Sequence, residues 1–587
     1  MDHFRDIGRR LFRLDPASHE AGLIAVGSVV FALCFSWPLL GHLRQFGAFH
    51  DWDLFTSLAW DPYHTLVHFH QIPLWDPYKC GGIPEIGEPQ TRIVNPFFLL
   101  YLIFGVVTGM HLEIILHLAL AFSGGYFLGR LMKLRPLAAL AIAVIFPSTS
   151  WFYLHAAEGH HTFLAAAYFP WLAATFWLSV DRRSWTASVA TGLIVALTFL
   201  AGVVYTAVWA GLIVLTLAIG LALTRLSLRP LVSGFIVAIS GAGFAAIKLL
   251  PALEMFKKYP RLGLSGESNP WWLFPQLVFA RDQDILRRGI WPFGFHEYGA
   301  YISIPFVLLA LVGVFGSRFR SLPWILLAAL FLALYRGDTG PYSIWGLLRR
   351  FPFFGGLNGM RLPARSLIGL VFSIAVLAGL GSEAICGTMG RWGSIVVIVL
   401  LVGGLGDAWW LGPPNLEHIF TISQPVIAKS LEFRQQAAIG AKFNMTHTAQ
   451  ANMGVLACYE YIDISTNAKG YDESDYKGEE YLLGPGRVQL THWTPNSLSF
   501  NVIALAPSVL IVNQNYDGGW HLTHGVGEVH SNGGLIGIRL PTGQQRLVLT
   551  YLPNSFLIGA AISLLMLAAM LVLLRYERRA RTASSNS

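Results

Sequence analysis

Two acidic residues, Asp51 and Asp53, lie in a polar segment just after the first long apolar run of the chain. Aromatic side chains flank them, in the order Phe49-His50-Asp51-Trp52-Asp53. A carboxylate among aromatic rings at a membrane boundary should have a raised pKa, and such a group can take a proton from a sugar hydroxyl that attacks an activated donor. Both residues are therefore candidate general bases. The alternative for Asp51 is that it caps the helical segment that follows.

Basic residues that could bind a phosphate lie much later in the chain. Arg361 and Arg365 are four residues apart, with Pro363 between them, where the chain enters another apolar run. Two guanidinium groups can grip one phosphate through paired N–H donors, and lysine cannot reproduce that fork. Lys248 is the one lysine inside an apolar run, and an intramembrane charge is a functional candidate by default. The alternative for these cations is that they reach out to the lipid head groups.

Three further polar residues stand where apolar runs begin or end. Glu158 and His160 belong to the sequence Glu-Gly-His-His, and Glu297 begins another run. The paired histidines could bind a divalent metal, but the carboxylate spacing of a strong metal site is missing, so we expect polarity at a helix entry instead. A negative charge at a helix N-terminus suits the helix dipole, so Glu297 needs no catalytic role.

Composition shows which elements must position these residues. Of the 587 residues, 13% are charged, about half of the roughly 25% that is usual in soluble proteins. Apolar residues make up 54%, and the mean hydropathy is +0.52. Most of the chain must therefore face lipid, which excludes a soluble enzyme and a nucleic-acid binder. The net charge of +8 then reports on membrane topology. The four cysteines are spaced for neither a zinc site nor a disulfide framework.

Apolar runs of membrane-spanning length predict a mainly α-helical, polytopic membrane protein with about twelve transmembrane helices. The runs lie near residues 21–40, 111–132, 135–153, 161–180, 185–201, 203–223, 231–251, 299–316, 321–335, 366–386, 392–412 and 554–575. The first run is too long for a signal peptide and lacks a small-residue cleavage site, so it is expected to be a transmembrane helix. One further apolar stretch, 93–109, is ambiguous.

The distribution of Lys and Arg resolves the ambiguous stretch. If 93–109 does not cross the membrane, every basic cluster in a short loop falls in the cytoplasm, as the positive-inside rule requires. These clusters lie at residues 130–135, 182–183, 225–229, 318–320, 391 and 575–581. We therefore expect 93–109 to be a half-helix in the outer leaflet, 41–110 to be one long external loop, and both termini to be cytoplasmic. Twelve Lys and Arg residues in 248–288 and 336–365 then lie on the outer side, which suggests an anionic ligand there.

Residues 413–553 differ in composition and predict a small external β-rich domain. They hold 11 acidic and 8 basic residues and no run of membrane-spanning length. Alternating or β-branched segments between Gly-rich turns predict strands at 497–504, 508–513, 535–540 and 546–551. The chain is thus expected to have a transmembrane domain over 1–412, this β-rich domain, and a last transmembrane helix with a basic cytoplasmic tail over 554–587.

The order of these motifs resembles that of the YfhO-type bacterial membrane proteins, of the GT-C glycosyltransferase superfamily, along almost the whole chain. The likeness comprises Asp51-Trp52-Asp53, Pro73-Leu74-Trp75-Asp76-Pro77, Gly81-Gly82, Gly159-His160 before Pro170-Trp171, Lys248-Leu249-Leu250-Pro251 with Glu254 and Arg261, Glu297-Tyr298-Gly299-Ala300-Tyr301-Ile302, Arg361-Leu362-Pro363-Ala364-Arg365, Asn515-Tyr516-Asp517-Gly518-Gly519-Trp520, and Leu540-Pro541-Thr542-Gly543. The resemblance implies a multi-helix GT-C fold in the bacterial cytoplasmic membrane, with an acidic residue of the first external loop acting as base. It also implies sugar transfer from a polyprenyl-phosphate donor on the outer face.

Two positions depart from the family pattern and add carboxylates near the expected site. Asp76 stands where the family usually has Asn, and Glu88 replaces a commonly uncharged residue before Pro-Gln. Both are further site candidates, and they leave the choice of base open.

The leading hypothesis is therefore an inverting glycosyltransferase of the cytoplasmic membrane. Asp51 or Asp53 would activate the acceptor hydroxyl. The donor phosphate would be bound by basic residues, namely Arg361 and Arg365 with Lys248 or Arg261. An apolar cavity among the helices would hold the polyprenyl chain, and the β-rich domain would dock the envelope glycan acceptor. No cofactor is predicted, although a divalent metal stays open.

The rival hypothesis is a non-catalytic membrane protein that binds lipid-linked glycans or helps to assemble or transport them. A secondary transporter would usually show inverted repeats with broken helices near the middle of the membrane. The sequence shows no such pattern, and its polar residues gather at one face, which favours an enzyme.

Overall fold

The computed structural model is mostly helical, and its helices follow the apolar runs of the sequence. It describes residues 16–202, 204–259, 267–287, 294–350, 360, 362–421, 429–437, 445–456, 458, 464 and 466–585. The α-helices in chain order are α1 (Pro16–Phe35), α2 (Trp37–Leu40), α3 (Trp52–His68), α4 (Phe98–Phe104), α5 (Val106–Leu131), α6 (Pro136–Ile145), α7 (Ser150–Glu158), α8 (Phe169–Asp181), α9 (Trp185–Leu200), α10 (Val204–Arg225), α11 (Arg229–Lys258), α12 (Phe274–Phe279), α13 (Phe295–Tyr298), α14 (Ile304–Gly316), α15 (Leu322–Tyr335), α16 (Ile344–Arg350), α17 (Leu367–Leu411), α18 (Met445–Gln450) and α19 (Asn554–Ser585). Short 3₁₀ helices include His161–Tyr168, Pro363–Ser366 and Pro413–Phe420.

Seven described helical segments are long and apolar enough to cross a membrane, and four shorter apolar helices accompany them. One of the seven, Pro363–Phe420, contains two of the predicted runs, 366–386 and 392–412. The two runs join inside α17 at Gly390, whose φ of +55° and ψ of −127° break the helical path. The chain is therefore a helical protein with several apolar helices, as its composition predicts. The number of twelve spans stays a prediction.

Two of the predicted runs have different boundaries in the structure. The run 135–153 is divided at 146–149, which contains Pro147, into α6 and α7. The run 231–251 lies within the 30-residue helix α11, which continues to Lys258. Lys248 is therefore well inside a helix and fully buried. The alternative that Lys248 reaches out to the lipid head groups is wrong.

The segment 41–110 contains α3, the short paired strands β1 (Trp75–Asp76) and β2 (Ile83–Pro84), and α4. The helix α4 has seven residues, so it is about 10 Å long, a third of the roughly 30 Å hydrocarbon core of a bilayer. Gly105, with φ +78°, ends α4 and turns the chain directly into α5. A helix of this length cannot cross a bilayer by itself, and residues 106–109 of the stretch 93–109 belong to α5. The position of α4 in the outer leaflet stays a prediction.

Contacts between loops gather several of the basic clusters at one end of the helices. Arg225 pairs with Asp181 at 2.8 Å, and an Arg320 guanidinium nitrogen donates to the Met132 carbonyl oxygen at 2.6 Å. Ser184 donates to Glu577 in the last helix at 2.7 Å. These loops therefore share one end of the bundle, as the positive-inside argument requires. Which compartment this end faces stays a prediction.

The β-rich part of the chain contains the predicted strands. Its strands are β3 (Arg434–Gln436), β4 (Met453–Val455), β5 (Glu480–Leu482), β6 (Gly486–Thr494), β7 (Ser497–Ala504), β8 (Ser508–Asn515), β9 (Trp520–His524), β10 (Glu528–Asn532), β11 (Leu535–Leu540) and β12 (Gly543–Tyr551). Two antiparallel four-stranded sheets have the orders β10-β11-β8-β5 and β6-β7-β12-β9. Inward-facing side chains of both sheets, among them Phe500, Ile536 and Leu547, form one apolar core.

Segment 41–110 contributes to the core of the β-rich domain. Leu74, Trp75 and Ile86 belong to the same apolar cluster as the two sheets. The indole nitrogen of Trp75 donates to Gln514 at 2.8 Å, and the Trp75 backbone N–H donates to the Asn496 side chain at 3.0 Å. The β-rich domain is thus fixed against the loop that carries the candidate base.

A disulfide joins the same two parts of the chain. Cys80 and Cys458 are 378 residues apart in sequence, and their Cα atoms lie 4.4 Å apart. The cysteine spacing indicates no disulfide framework, yet the structure pairs two of the four cysteines, because widely spaced cysteines show no pairing until the fold brings two of them together. Disulfides persist in oxidising compartments, which agrees with an external position for both segments.

We expect alkylation of the unfolded, unreduced protein to modify Cys34 and Cys386, which are free thiols in the structure, and to leave Cys80 and Cys458 unmodified. Peptide mass spectrometry would measure this, with a sample reduced before alkylation as the control. Alkylated Cys80 in the unreduced sample would contradict the disulfide.

Candidate functional site

A tight corner between α7 and the following 3₁₀ helix positions the segment that carries Asp51. Gly159 adopts φ +99°, and a Cβ at this position would lie 2.6 Å from the Trp52 backbone nitrogen. The Asp51 N–H donates to the Glu158 carbonyl oxygen at 3.1 Å, and the Trp52 indole N–H donates to the Ala157 carbonyl oxygen at 3.1 Å. Glycine is therefore required at 159 both for its backbone conformation and for this close approach.

Asp51, Glu158 and His160 converge at this corner. His160 Nε2 lies 3.1 Å from Asp51 Oδ2, and one ligand atom from each of the three residues lies within 4.8 Å of the others. Glu158 ends α7 and His160 precedes the 3₁₀ helix, as polarity at a helix entry predicts, but both side chains also face Asp51. Glu158 and His160 are buried, while the Asp51 side chain keeps 15% of its surface exposed.

Asp51 occupies the N-cap position of α3, yet among the described residues its side chain makes no capping hydrogen bond to the helix. The carboxylate is directed to His160 instead. The capping alternative raised by the sequence is therefore not supported for Asp51.

Three histidines that the sequence analysis did not select surround the corner. His50 Nδ1 lies 2.7 Å from Glu158 Oε2, and His296 Nδ1 lies 3.4 Å from the same oxygen. His155 Nδ1 lies 3.0 Å from His160 Nδ1, so one of these two rings donates to the other. The sequence contains one signal for two of these histidines: His50 directly precedes the candidate Asp51, and His296 directly precedes the candidate Glu297.

The His155–His160 contact allows either tautomer of His160. When His155 donates, the proton of a neutral His160 is on Nε2 and is shared with Asp51. When His160 donates through Nδ1, its Nε2 carries a lone pair instead. The second arrangement is the one that a metal ligand requires.

Arg365 and Glu297 form a buried ion pair next to these residues. Arg365 lies in the 3₁₀ helix Pro363–Ser366, and its Nε and one terminal nitrogen donate to the two carboxylate oxygens of Glu297. The guanidinium also stacks over the rings of Phe163, at 4.7 Å, and Tyr205, at 5.0 Å. Arg365 therefore points into the protein, so the alternative that it reaches the lipid head groups is wrong. Glu297 is the partner of Arg365 and does more than complement a helix dipole.

Burial and neighbouring charges shift the pKa values of Glu297 and of its neighbour His296. Burial opposes ionisation of Glu297, but the Arg365 guanidinium outweighs it and lowers the pKa of Glu297 below its usual range. Burial lowers the pKa of His296 to about 4, although the Glu297 charge opposes the shift. At neutral pH the site thus combines an ionised Glu297 with a neutral His296.

Asp53 lies apart from this cluster. Its carboxylate accepts hydrogen bonds from the backbone nitrogens of Met445, at 2.7 Å, and Thr446, at 3.2 Å. Burial raises the pKa of Asp53, against the effect of these two N–H donors. Asp53 therefore holds the start of α18 and is 2% exposed.

Three other predicted site residues belong to separate buried networks. Lys248 donates to the carbonyl oxygens of Pro89, at 2.8 Å, and Thr91. Glu88 accepts from the Thr91 N–H at 2.7 Å, and burial raises its pKa, although the nearby Lys248 charge opposes this. Asp76 pairs with Lys79 at 3.0 Å. The contacts of Lys248, Glu88 and Asp76 all lie within or against the segment 41–110. Arg261 and Arg361 lie outside the described residues.

The trio Asp51, Glu158 and His160 has the donors of a divalent metal site. Ligand atoms at about 2.1 Å from an ion lie no more than about 4.2 Å apart, so the observed spacing of up to 4.8 Å needs only a small closure. Carboxylate oxygens suit Mn²⁺ and Mg²⁺, and imidazole suits Zn²⁺. Two carboxylates with one imidazole therefore fit Mn²⁺ or Zn²⁺.

No protein-family model and no curated protein matches the chain. Among solved structures, it is similar to the arabinofuranosyltransferase AftD from mycobacteria, with 12% identity and a TM-score of 0.42 over 91% of this chain and 40% of that one. It is also similar to an oligosaccharyltransferase of Archaeoglobus fulgidus, with 12% identity and a TM-score of 0.43 over 74% of this chain and 64% of that one. The chain thus spans less than two thirds of either protein. TM-scores of this size do not establish a shared fold, so function is inferred from the chain's own residues.

We expect the purified protein to bind one Mn²⁺ or Zn²⁺ at the trio, because two carboxylates and an imidazole already converge there. His160→Ala and Glu158→Gln should each weaken binding at least about tenfold, a loss of about 1.4 kcal/mol. Titration calorimetry and elemental analysis after dialysis would measure affinity and stoichiometry. His524→Ala, on an exposed strand position, is the matched control. Unchanged binding in both trio variants would exclude the site.

Proposed function

We propose that the chain is a membrane glycosyltransferase of the YfhO type, which moves a sugar from a polyprenyl-phosphate donor to a cell-envelope glycan, lipid or protein on the outer face of the bacterial cytoplasmic membrane. The carrying observation is the convergence of Asp51, Glu158 and His160 beside the Glu297–Arg365 pair. An acid–base group and a fixed cation are the two parts that transfer from a phosphate-linked donor requires.

The position of the site along the helices supports an outer-face reaction. Glu158 ends the helical segment that begins at Pro136, next to the basic residues 130–135. Arg365 begins the segment that breaks at Gly390, next to Arg391. In both cases the site residue and the basic cluster lie at opposite ends. If the basic ends face the cytoplasm, the site faces outward.

In the proposed reaction, Asp51 takes the proton of the acceptor hydroxyl as that oxygen bonds to the anomeric carbon. The bond from this carbon to the donor phosphate oxygen breaks, and the phosphate leaves with the electron pair. Attack from the side opposite the phosphate inverts the configuration at the anomeric carbon. A base that is positioned in this way typically contributes a factor of about 10²–10⁴ to the rate.

Asp51 is a better candidate base than Asp53 because their surroundings differ. The Asp51 side chain is partly exposed and contacts a titratable partner, His160. Asp53 is buried, and two backbone N–H groups occupy its carboxylate oxygens. A carboxylate used for helix capping cannot also receive a proton from substrate without losing that role.

Arg365 is the described cation best placed for the donor phosphate. A guanidinium has five N–H donors, and two of those of Arg365 donate to the Glu297 carboxylate, so this ion pair fixes the position and orientation of the Arg365 charge within the site. Lys248 is less suited, since it binds the backbone of the segment 41–110.

We expect Asp51→Asn to lower transfer by about 10²–10⁴-fold, because the base is lost. Asp53→Asn should retain much more transfer, because Asp53 lies apart from the reacting groups, although the single amide oxygen can accept only one of the two α18 N–H bonds. Transfer by purified protein across a panel of polyprenyl-phosphate sugars would measure both variants. Asp475→Asn, at an exposed carboxylate, is the control. Full activity of Asp51→Asn would remove the proposed base, and no transfer by the wild type would favour the non-catalytic rival.

We expect Arg365→Lys to reduce donor use roughly ten- to a hundredfold, because lysine keeps the charge but loses the fork, at about 1–3 kcal/mol for charged hydrogen bonds. The readout is the KM for the donor in correctly inserted protein. Arg281→Lys is the matched control, since Arg281 also pairs with a carboxylate, Asp407, at 2.9 Å but is mostly exposed. Equal donor KM values in the two variants would limit Arg365 to a structural role.

A further inference from the structure

A cleft of about 970 Å³ lies between the end of α3 and the β-rich domain. Ligand sites typically have volumes of roughly 300–1,000 Å³. Described residues from α3, from 431–434, from the end of α18, from 471–480 and from β6 line it. The cleft is therefore bounded by several separate parts of the chain and has room for several sugar residues.

Aromatic rings form one part of the cleft lining. Phe433 and Trp493 stack at 4.7 Å with an interplanar angle of 17°, and Phe69 meets Trp493 edge-on at 5.7 Å. Tyr471 also lines the cleft and is 44% exposed, with the Arg434 guanidinium 5.9 Å from its ring centroid. Flat aromatic faces bind the apolar C–H face of a sugar ring and leave its hydroxyls to polar neighbours.

Polar side chains form the rest of the lining. Gln450, Asn452 and Gln489 carry amides, which donate and accept hydrogen bonds, as sugar hydroxyls do. This mixture of flat rings and amides fits a carbohydrate better than an apolar chain such as a polyprenyl tail.

The charges in the lining disfavour an anionic ligand. The lining has three carboxyl groups, those of Glu432, Glu479 and Glu480, and one guanidinium, that of Arg434. Burial raises the pKa of Glu479 to about 7 and also raises that of Glu480, so Glu479 carries only part of a negative charge at neutral pH. Burial lowers the pKa of His64 to about 4, so this ring adds no positive charge at neutral pH. A neutral glycan avoids the like-charge repulsion that a uronic-acid or phosphate-bearing chain would meet.

The cleft lies far from Asp51 along a single helix. Asp51 precedes the first residue of α3, whereas His64 and His68 near its end line the cleft. A rise of 1.5 Å per residue places these two histidines about 20–25 Å from Asp51. The cleft therefore cannot hold the sugar unit that reacts, although one long chain can reach both places.

We propose that this cleft is an acceptor exosite, which binds a neutral oligosaccharide stretch several sugars away from the reacting hydroxyl. The proposal rests on the proposed glycosyltransferase function for the identity of the ligand as acceptor. Binding itself needs no catalysis, so it can be tested separately. The cleft makes the enzyme select long neutral glycans over short or anionic ones.

The binding test uses the full chain in detergent or nanodiscs. The probes are neutral oligosaccharides, namely maltoheptaose, cellohexaose, laminarihexaose, chitohexaose and mannohexaose, with oligogalacturonate as the anionic comparison. Saturation-transfer NMR and calorimetry would measure affinity. We expect at least one neutral probe to bind more tightly than oligogalacturonate. Failure of every neutral probe to bind, or preferred binding of the anionic probe, would overturn the proposal.

Substitutions in the cleft lining test whether the neutral probe binds there. Trp493→Ala and Tyr471→Ala should each weaken the neutral probe roughly tenfold or more, as truncation of an aromatic anchor does. Tyr471 is exposed, so its removal keeps the test valid if Trp493→Ala fails to fold. His524→Ala, on the opposite sheet edge from β6, is the matched control. Wild-type affinity in the Tyr471 variant and in folded Trp493→Ala would overturn the proposal.

A transfer assay separates this proposal from the proposed function. Asp51→Asn should lower transfer by about 10²–10⁴-fold but bind the neutral probe as the wild type does. Tyr471→Ala should lower kcat/KM much more for acceptors long enough to span about 25 Å than for a disaccharide. Probe binding at the cleft without transfer by the wild type would leave the glycan site standing and remove the enzyme. If the wild type transfers sugar but Tyr471→Ala loses the same fraction of kcat/KM for long and short acceptors, the enzyme would stand and the exosite would be overturned.

Discussion

The long segment 41–110 is held against the helices by buried charges, and each of these needs a partner in place of water. Arg92 pairs with Glu113 of α5 at 2.7 Å, and Lys248 of α11 binds the Pro89 carbonyl oxygen at 2.8 Å. Within the segment itself, Lys79 pairs with Asp61 of α3 at 3.2 Å. Loss of one partner leaves an uncompensated buried charge, which costs more than formation of the pair gains. The segment is therefore fixed in one arrangement, and the position of Asp51 beside Glu158 depends on it.

The sequence predicts the elements well because their signals are local. Apolar runs and alternating segments depend on residues within one helix or strand, and the strands at 497–504 and 535–540 have the predicted bounds. The pairing of Cys80 with Cys458 is not local, so their spacing carries no signal. For the same reason Asp51 and Asp53 cannot be separated from sequence: what distinguishes them is His160 for the first and Met445 for the second.

From sequence alone, a buried ionisable residue with a structural role cannot be distinguished from one that lines a functional site. Lys248, Asp76 and Glu88 have the residue types and the apolar surroundings of catalytic groups, yet their partners are backbone atoms or charges of the segment 41–110. Arg365 and Asp51 have similar surroundings in sequence, but in the structure Arg365 lies near His155 and Asp51 contacts His160, and these two histidine rings are in contact. Only the distances between chain segments in the structure distinguish the structural residues Lys248, Asp76 and Glu88 from the candidate site residues Arg365 and Asp51. The resemblance to a family gives the order of the motifs but not this division.

Helix α3 connects the corner that carries Asp51 with the cleft at the β-rich domain. Asp51 precedes it, Asp61 anchors its middle through Lys79, and His64 and His68 line the cleft near its end. Asp53 fixes the start of α18, and Ala449 and Gln450 at the end of α18 line the same cleft. The spacing between the reacting group and the cleft is thus set by two helices that are both anchored next to Asp51. Under the proposed function, a glycan too short to span α3 would gain nothing from the cleft, whereas a longer one would be held at both ends by a rigid frame. Selection for chain length would then require no moving part.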